Sequence, residues 1–257
     1  MYKRQEYVSN LQKSQLITKI IQQVEIDNHN IIDDLNELNI NDQLAENGII
    51  MPKNSIFTKE KEIKDLLSSL SASLSQHNKI KKIYVKLNAN KEEYLISDDT
   101  VIELINTKLS LGSLSEAWIK LLFISSLRAN IKRTKVIFRT ENNYKSQIIQ
   151  SPGATESNLI LEEYINIFKN YSQKCLPLPP ESAYKYVEAK IKSKNEKKAF
   201  TDKWIGNKNF SKGERDNIEM KLCFGNKKEP DFFFANYEFD DLSFRFYAPL
   251  LLSLIHI

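Results

Sequence analysis

The spacing of apolar residues predicts three helices in the first third of the chain. Between residues 6 and 24 apolar side chains recur at intervals of three and four, which is typical of an amphipathic helix. A shorter helix is predicted over 35–44, with Asn47-Gly48 as its C-terminal signal and Pro52 after it. A third helix is predicted over 56–76. The apolar positions of the first helix are Val8, Leu11, Leu16, Ile17, Ile20 and Ile21, and those of the third are Ile63, Leu66, Leu67, Leu70 and Leu74.

The period then changes from helical to alternating, which predicts strands. Residues 83–87 alternate and are rich in β-branched side chains, and 93–97 is the predicted hairpin partner across Asn88-Ala89-Asn90. The pattern of 101–111 fits either a third strand or a short helix. A further short apolar strand is predicted over 135–139.

Helices are predicted again between and after these strands. Ser113-Leu114-Ser115-Glu116 has the spacing of a capping box, which predicts a helix from Ser113 to about Ala129. Another helix is predicted over 155–171, and helices over 181–203 and 237–251 follow a stiff, proline-rich extended segment at 176–180. The side chains expected to be buried are Leu114, Ala117, Trp118, Leu121, Leu122 and Leu127 in the first of these helices, and Leu161, Tyr164, Ile165 and Phe168 in the second.

Strands flanked by helices predict an α/β domain from about residue 76 onward. A chain of 257 residues with 41% hydrophobic and 27% charged residues can bury a sizeable core, which argues against general disorder. No run of about 18 apolar residues is present. The first residues, Met1 to Glu6, lack the apolar stretch of a signal peptide. We therefore expect a cytoplasmic protein that does not bind a membrane.

The composition argues against two common classes of functional site. The six glycines are not spaced as G-x-x-x-x-G-K or G-x-G-x-x-G, which excludes a P-loop and a dinucleotide-binding fingerprint. Three histidines and two cysteines are too few and too scattered for a zinc site. His29 and His77 lie in polar stretches and are expected to be exposed. The two cysteines, Cys175 and Cys223, fit a reducing compartment. We expect this chain to bind no cofactor and no metal ion of its own.

Charge is unevenly distributed along the chain. Residues 20–52 contain seven acids and no Lys or Arg, whereas 128–145 carry a net charge of +5 and 184–228 a net charge of +7. Residues 229–241 contain five acids and no basic residue. Such segregation fits a protein that binds phosphates through a basic surface and basic partners through acidic segments, and it equally fits lysine-rich helices that are simply solvated.

A metal-dependent nuclease site is the remaining candidate for catalysis. Such a site combines an Asp at the end of one strand with an acid-x-Lys triplet on the next, so that two carboxylates bind Mg²⁺ and the lysine positions water. Only Glu219-Met220-Lys221 lies in a possible strand, and no Asp precedes it in the required geometry. Asp98-Asp99 is explained by a turn or a helix N-cap. The triplets in the sequence are Glu62/Lys64, Glu188/Lys190, Glu196/Lys198 and Glu219/Lys221. We therefore predict no catalytic residues.

Four stretches of the chain, taken in order, are similar to one known family. They are residues 7–24 with 46–52, the helix containing Trp118-Ile119-Lys120-Leu121-Leu122, the segment Leu176-Pro177-Leu178-Pro179-Pro180-Glu181-Ser182-Ala183, and residues 204–249, which end in Tyr247-Ala248-Pro249. By their order and spacing the chain resembles the C-terminal part of RecC, the gamma subunit of exodeoxyribonuclease V. Glycine is scarcer than in the family pattern, whose hairpin often carries a glycine where Tyr94-Leu95-Ile96-Ser97 stands.

The resemblance implies a fold, a role and a set of partners. The implied fold is a restriction-endonuclease-like domain with flanking helices that has lost its catalytic residues. The implied role is a non-catalytic subunit that scaffolds a helicase–nuclease, separates strands and reads Chi during DNA repair and recombination. The implied partners are RecB-like and RecD-like subunits, double-stranded DNA ends and unwound single strands, and the sister subunits use ATP and Mg²⁺.

The resemblance also implies domain boundaries. Residues 1–52 are expected to be a helical connector from a helicase-like domain that would precede Met1, and 53–251 the inactive nuclease-like domain. Residues 252–257 read Leu-Ser-Leu-Ile-His-Ile, the translation of a sequencing-library adapter, and are expected to be non-native. A natural amphipathic tail is the alternative.

Clustering next to the predicted strands selects seven candidate DNA contacts. They are Lys79, Lys81, Lys82, Arg128, Lys132, Arg133 and Lys135. Two other hypotheses remain open on the residues alone. One is an active metal-dependent nuclease that uses Glu219 and Lys221, and the other is a protein-interaction module in which the acidic segment 20–52 docks a basic partner.

Overall fold

The chain forms two compact units in the computed structural model. The structure describes residues 53–74, 77, 80–87, 90–207, 211–226 and 228–255. Of these, unit 1 comprises the residues up to Ala117 together with Asn130–Ile148, and unit 2 comprises Trp118–Ala129 together with Ile149–Ile255. The connector predicted over 1–52, with its two helices and its acidic segment, lies outside the described residues.

Unit 1 is built on a mixed sheet preceded by a long helix. Helix α1 (Lys53–Leu74) leads into strands β1 (Lys81–Leu87), β2 (Asn90–Ser97) and β3 (Thr100–Ile105). Helix α2 (Leu111–Leu127) crosses from unit 1 into unit 2, and the chain then forms β4 (Arg133–Arg139) and β5 (Tyr144–Gln150). The predictions of α1, the hairpin strands and β4 are confirmed, and the ambiguous segment after residue 100 is a strand. β5 was not predicted.

The strands are joined in two different ways. β1, β2 and β3 form an antiparallel meander, in which Ile83 lies opposite Tyr94 and Ile96 opposite Val101. β4 runs parallel to β3, with Arg133 opposite Thr100. The first five strands are hydrogen-bonded in the order β1-β2-β3-β4-β5. Because neighbouring parallel strands start at the same edge of a sheet, the residues that precede β3 and β4 are brought together.

The core of unit 1 lies between α1 and the sheet. The apolar side predicted for α1 is confirmed for its four leucines, which are buried. Two hydrogen bonds fix this packing: Tyr144 N–H donates to Ser69 Oγ at 3.0 Å, and Lys135 Nζ donates to the Ser73 carbonyl at 3.1 Å. The buried apolar residues of these elements are Leu66, Leu67, Leu70 and Leu74 of α1, Val101 and Ile102 of β3, and Val136 and Ile137 of β4.

Helix α2 begins two residues earlier than its predicted capping box. Ser113 N–H donates to Ser110 Oγ at 3.1 Å, and Ser110 N–H donates to Ser113 Oγ at 3.0 Å. This reciprocal pair is a capping box one turn earlier, with Ser113 rather than Glu116 as its second member. The prediction that Leu127 is buried is wrong, because it is the last residue of α2 and 56% exposed. Burial is confirmed for Leu114, Ala117, Trp118, Leu121 and Leu122.

Unit 2 is mainly helical. Its helices are α3 (Ala154–Tyr171), α4 (Pro180–Ile191), α5 (Glu196–Ile205), α6 (Ile218–Phe224), α7 (Asp231–Phe234) and α8 (Phe239–Ser253). Short strands β6 (Gly206–Asn207), β7 (Ser211–Lys212) and β8 (Leu254–Ile255) and a 3-10 turn, Glu214–Asp216, complete it. The helices predicted over 155–171 and 237–251 are confirmed. The non-native origin of 252–257 stays a prediction. Within the described part of the chain, no helix combines the length and apolar character needed to cross a membrane.

Of the four side chains expected to be buried in helix α3, Leu161 and Tyr164 are half-buried and the other two are exposed. Ile165 is 51% exposed and Phe168 is 74% exposed. Tyr164 is half-buried, and its hydroxyl accepts from Trp118 Nε1 at 3.1 Å and donates to the Phe246 carbonyl at 2.8 Å. The prediction failed because apolar residues occupy two sides of α3, so periodicity alone did not select between them. The buried residues are Ser157, Ile160 and Ile167.

The segment predicted as one helix over 181–203 is two helices, α4 and α5. Lys194 N–H donates to the Ala189 carbonyl at 2.8 Å, and Ser193 N–H donates to the Lys190 carbonyl at 3.1 Å. Ser193 has a φ of 51°, in the left-handed region. These are the features of a Schellman motif, which ends α4. Glycine is the usual residue at that left-handed position, so Ser193 gave no signal in the sequence.

Glycine at position 193 is expected to stabilise the chain. The variant Ser193→Gly should raise the free energy of unfolding by about 0.5–1 kcal/mol, because glycine adopts a positive φ without the steric penalty of a Cβ. Urea unfolding followed by circular dichroism measures the change. Ser172→Gly is the matched control, since Ser172 also ends a helix but has a φ of −59°. Ser172→Gly should lower the free energy of unfolding. If both variants raise it, the positive φ of Ser193 is not the cause of the stabilisation.

Unit 2 is centred on aromatic side chains from α5, α7 and α8. Phe200 is fully buried, and its ring centroid lies 5.3 Å from that of Phe233 and 5.4 Å from that of Phe239. Trp204 is also buried, and its Nε1 donates to the Lys228 carbonyl at 2.7 Å. Since these rings bury large apolar areas and the indole N–H is paired, the cluster holds the short helices of unit 2 together.

A buried glutamate caps the amino-terminal end of α4. Glu214 Oε1 accepts from the Glu181 N–H at 2.8 Å, and Oε2 accepts from the N–H and the hydroxyl of Ser182 at 2.7 and 2.5 Å. Pro179, at the N-cap of α4, offers no side-chain acceptor for these donors. The carboxylate therefore supplies from the 3-10 turn the cap that α4 lacks in its own sequence.

The residue before that glutamate makes a close backbone contact. Gly213 lies against the end of α5, where a Cβ would be 2.3 Å from the carbonyl carbon and oxygen of Ile205 and 2.3 Å from the oxygen of Trp204. A side chain therefore cannot be added without moving the backbone. Gly213 and Glu214 together dock the 3-10 turn against α4 and α5.

Candidate nucleic-acid contact surface

The amino-terminal ends of β3 and β4 bring a carboxylate and an arginine together. Arg133 Nε donates to Thr100 Oγ1 at 2.9 Å, and Nη2 donates to Asp99 Oδ1 at 3.2 Å. Thr100 Oγ1 also donates to Asp99 Oδ1 at 2.9 Å. Burial opposes ionisation here, but the hydrogen bonds from Thr100 and Arg133 and the charge of Arg133 lower the pKa of Asp99 below its ordinary value. Asp99 is therefore ionised and orients the guanidinium group.

Lys132 and Arg133 are exposed cations at this end of unit 1. The Lys132 N–H donates to the Asp99 carbonyl at 2.8 Å, which places Lys132 beside the turn between β2 and β3. Asp98 occupies that turn with a φ of 52°, which confirms the turn rather than the helix N-cap. The Arg133 side chain stays 44% exposed although it is paired with Asp99. Two adjacent cations of this kind can contact phosphate oxygens of a nucleic-acid backbone.

Lys135 was predicted as a DNA contact, but its side chain points into the protein and not to the surface. The residue is buried, with 7% of its surface exposed, and its Nζ donates to the Ser73 carbonyl near the end of α1. Burial lowers the pKa of Lys135. The side chain thus satisfies a carbonyl at the C-terminal end of a helix, where cations are favoured, and cannot reach an external phosphate.

His77 is a neighbour of this cluster that the sequence did not identify. The backbone N–H of His77 donates to the carbonyl of Leu74, the last residue of α1, at 2.9 Å. The pKa of His77 is lowered by burial and then by the charges of Lys135 and Arg133, while Asp98 acts in the opposite direction. Its Nε2 is buried and has no hydrogen-bond partner among the described residues. The expectation of an exposed histidine is therefore wrong at this position.

The other predicted contacts lie elsewhere. Lys81 is exposed at the start of β1, opposite Ile96. Arg128 is exposed directly after α2 and belongs to unit 2. Lys79 and the side chain of Lys82 lie outside the described residues. Of the seven candidates, the structure thus brings together Lys132, which directly precedes β4, and Arg133 and the buried Lys135 on β4.

The acid-x-Lys triplets all fall in helices. Glu219-Met220-Lys221 was predicted in a possible strand, and this is wrong because the triplet lies in α6. The others are Glu62/Lys64 in α1, Glu188/Lys190 in α4 and Glu196/Lys198 in α5. Among the described residues, no group of three or more His, Cys, Asp or Glu side chains is arranged to hold a metal ion.

Comparison with known proteins identifies the family. A family model described as the RecC C-terminal domain matches residues 57–191, which is more than half of the chain. The chain belongs to the RecC family. RecC is a subunit of the RecBCD complex, exodeoxyribonuclease V, which acts in DNA repair and recombination. No curated protein matches the chain.

The match locates the RecC likeness on the fold. It extends from α1 to the end of α4 and includes the strands β1 to β5 of the mixed sheet. Two of the four stretches that carry the resemblance in the sequence, Trp118–Leu122 and Leu176–Ala183, fall within the matched residues. The stretches before residue 57 and after residue 191 lie outside them and stay predictions.

Proposed function

We propose that this RecC-family chain is a non-catalytic scaffold domain that contacts DNA within an exodeoxyribonuclease V complex. The main support for a non-catalytic role is that all four acid-x-Lys triplets lie in helices. A metal-dependent nuclease needs the triplet on a strand, next to a carboxylate of the neighbouring strand. Glu103 of β3 is an acid on a central strand, but the residue two positions later is Ile105 and not the lysine that an acid-x-Lys triplet requires.

We also propose that unit 1 is a restriction-endonuclease-like domain in inactive form. Its helix, three-stranded meander and parallel fourth strand support this proposal, together with the family membership. The partners would be RecB-like and RecD-like subunits, which would hydrolyse ATP and use Mg²⁺, and the complex would act in the cytoplasm on double-stranded DNA ends and unwound strands.

The proposed DNA contacts are Lys132 and Arg133, with Lys81 as a further exposed cation of unit 1. Neutralising a phosphate with a Lys or Arg releases counterions, so each such contact adds salt dependence to the affinity. The contacts would position the chain on the DNA backbone without reading its sequence.

The double variant Lys132→Gln/Arg133→Gln tests this assignment in the assembled complex. Binding to forked DNA should weaken, and the slope of log affinity against log salt should become shallower by about 1.8, or 0.9 for each lost contact. Fluorescence anisotropy at a series of salt concentrations measures both quantities.

Lys108→Gln is the matched control for that experiment. Lys108 is an exposed cation of unit 1 whose Nζ lies 2.9 Å from Glu141. It follows the carboxyl end of β3, whereas the candidate surface lies at the amino-terminal ends of β3 and β4. Lys108→Gln should leave the slope unchanged. An unchanged slope in the double variant would refute the assignment, and normal assembly with the sister subunits but no DNA crosslink to this chain would favour a protein-interaction module instead.

A further inference from the structure

Three aromatic rings and two lysines of unit 2 contact one another in a series that reaches the surface at Phe244. Lys190 Nζ lies 5.7 Å from the ring centroid of Phe244 and 5.9 Å from that of Tyr186. The Tyr186 ring is 6.2 Å from the Phe234 ring, and Lys197 Nζ is 5.4 Å from the Phe234 centroid. These five residues of α4, α5, α7 and α8 form a continuous series, which we call the lysine–aromatic band.

The band has one accessible ring. Phe244 is 41% exposed, whereas Tyr186 is buried and Phe234 is half-buried. The buried rings pack into the aromatic core: Tyr186 lies 5.2 Å from Phe239, measured between ring centroids. Phe244 is therefore the ring of the band that a ligand can reach, and the other rings hold the surface beneath it rigid.

Asp240 fixes the lysine beside that ring. Lys190 Nζ donates to the two carboxylate oxygens of Asp240 at 2.6 and 2.8 Å, and the Tyr186 hydroxyl donates to Oδ1 at 2.9 Å. Phe244 lies one helical turn after Asp240 on α8, so the ring and the carboxylate share a face of the helix. This arrangement holds Lys190 next to Phe244 before any ligand arrives.

Lysines next to the band give the surface its positive charge. Residues 185–203 contain seven lysines and three acids. Lys194, Lys197 and Lys198 are exposed and form no ion pair with any residue that the structure describes. All three follow the left-handed turn at Ser193, at the junction of α4 and α5. Their charges are available to a polyanion.

We propose that the lysine–aromatic band binds single-stranded nucleic acid, with one base stacked on Phe244 and neighbouring phosphates on Lys194, Lys197 and Lys198. Proteins bind single strands without sequence preference by combining basic surfaces with exposed aromatic rings. In a duplex the base faces are covered by neighbouring bases, so an exposed ring selects unpaired bases. An acidic peptide would satisfy the lysines but offers no flat face to Phe244. This inference rests on the proposed function in one respect, which is that the chain contacts nucleic acid. It is otherwise separate, because its residues lie in unit 2 and not at Lys132 and Arg133 of unit 1.

The test separates stacking from charge. Fluorescence anisotropy measures the affinity of the purified 257-residue chain for two labelled strands, an oligodeoxythymidylate and an abasic strand of equal length. Each strand has about 16 nucleotides, the largest number that one single-strand-binding domain typically covers. Phe244→Ala should weaken binding of the oligodeoxythymidylate about fivefold or more, the low end for one stacked base, and leave binding of the abasic strand unchanged. The triple variant Lys194→Gln/Lys197→Gln/Lys198→Gln should weaken both.

Phe168→Ala is the matched control, because Phe168 is an exposed phenylalanine of the same unit, 74% exposed, with no lysine described over its ring. It should change neither affinity. If Phe244→Ala leaves both affinities unchanged, or weakens both equally, the stacking role is refuted. A competition experiment with polyglutamate gives a further check. If polyglutamate displaces the oligodeoxythymidylate as readily as the abasic strand, the surface binds any polyanion and the stacking role is refuted. Lys132→Gln/Arg133→Gln should retain oligodeoxythymidylate binding, so the two proposals can fail separately.

Discussion

Alanine at position 213 is expected to lower the free energy of unfolding by about 3 kcal/mol or more. The added Cβ would lie 2.3 Å from backbone atoms of Ile205 and Trp204 at the end of α5. Gly213 has a φ of −73°, which alanine adopts freely, so the loss comes from steric overlap and not from backbone conformation. Backbone atoms cannot turn aside as a flexible side chain does. Urea unfolding followed by circular dichroism measures the loss.

Gly112→Ala is the control with the opposite expected sign. Gly112 lies in the first turn of α2, and the nearest heavy atom to an added Cβ is Ser110 Oγ at 3.7 Å, an ordinary contact. Alanine there should stabilise the chain by about 0.5–1 kcal/mol through helix propensity. Equal stability of the Gly213→Ala variant and the parent chain would show that the 3-10 turn does not sit against α5 as described.

Replacing Glu214 by glutamine is expected to lower the free energy of unfolding by about 2–4 kcal/mol. The two oxygens of Glu214 accept three hydrogen bonds from Glu181 and Ser182 at the start of α4. A glutamine amide must turn its NH₂ group toward one of these donors in either orientation. At least one donor then loses its acceptor in a buried place, and the negative charge at the helix terminus is also lost. Urea and thermal unfolding measure the effect.

Glu219→Gln provides the comparison at an exposed site. Glu219 lies in α6 and is exposed, so the free energy of unfolding should change by less than about 0.5 kcal/mol. The same variant bears on catalysis. If the chain degrades linear DNA in the presence of Mg²⁺ and Glu219→Gln abolishes that activity, the non-catalytic proposal fails. A loss for Glu214→Gln no larger than that for Glu219→Gln would contradict the buried cap.

The strands of unit 1 were predictable where apolar residues gave a regular pattern. β1, β2 and β4 were predicted from such patterns, whereas the pattern of β3 fitted a strand or a short helix equally well. β5 has no such pattern, because Lys145-Ser146-Gln147 places three polar residues in succession inside the strand. Helix α4 was overextended in the prediction because its Schellman motif uses Ser193 in place of glycine, so the stop signal was absent.

The candidate surface was predictable only in part, because charge clustering does not report burial. Lys132 and Arg133 stood out as adjacent cations, but Lys135 is covered by α1. All four residues from Thr134 to Ile137 are buried in β4, as is common for a strand with neighbours on both sides and both faces covered. The lysine–aromatic band was beyond sequence reasoning, since Lys190, Phe234 and Phe244 lie on three different helices that only the fold brings together.

The path of the chain between the two units limits how the protein can be divided. The chain leaves unit 1 at Trp118, returns at Asn130 and leaves again at Ile149. Truncation before Trp118 therefore removes β4 and deprives β3 of its parallel neighbour, while a fragment starting at Asn130 lacks β1, β2 and β3. Neither unit can be expressed whole from one uninterrupted stretch of gene. A single polypeptide of unit 1 alone would need a linker in place of Trp118–Ala129 to join Ala117 to Asn130.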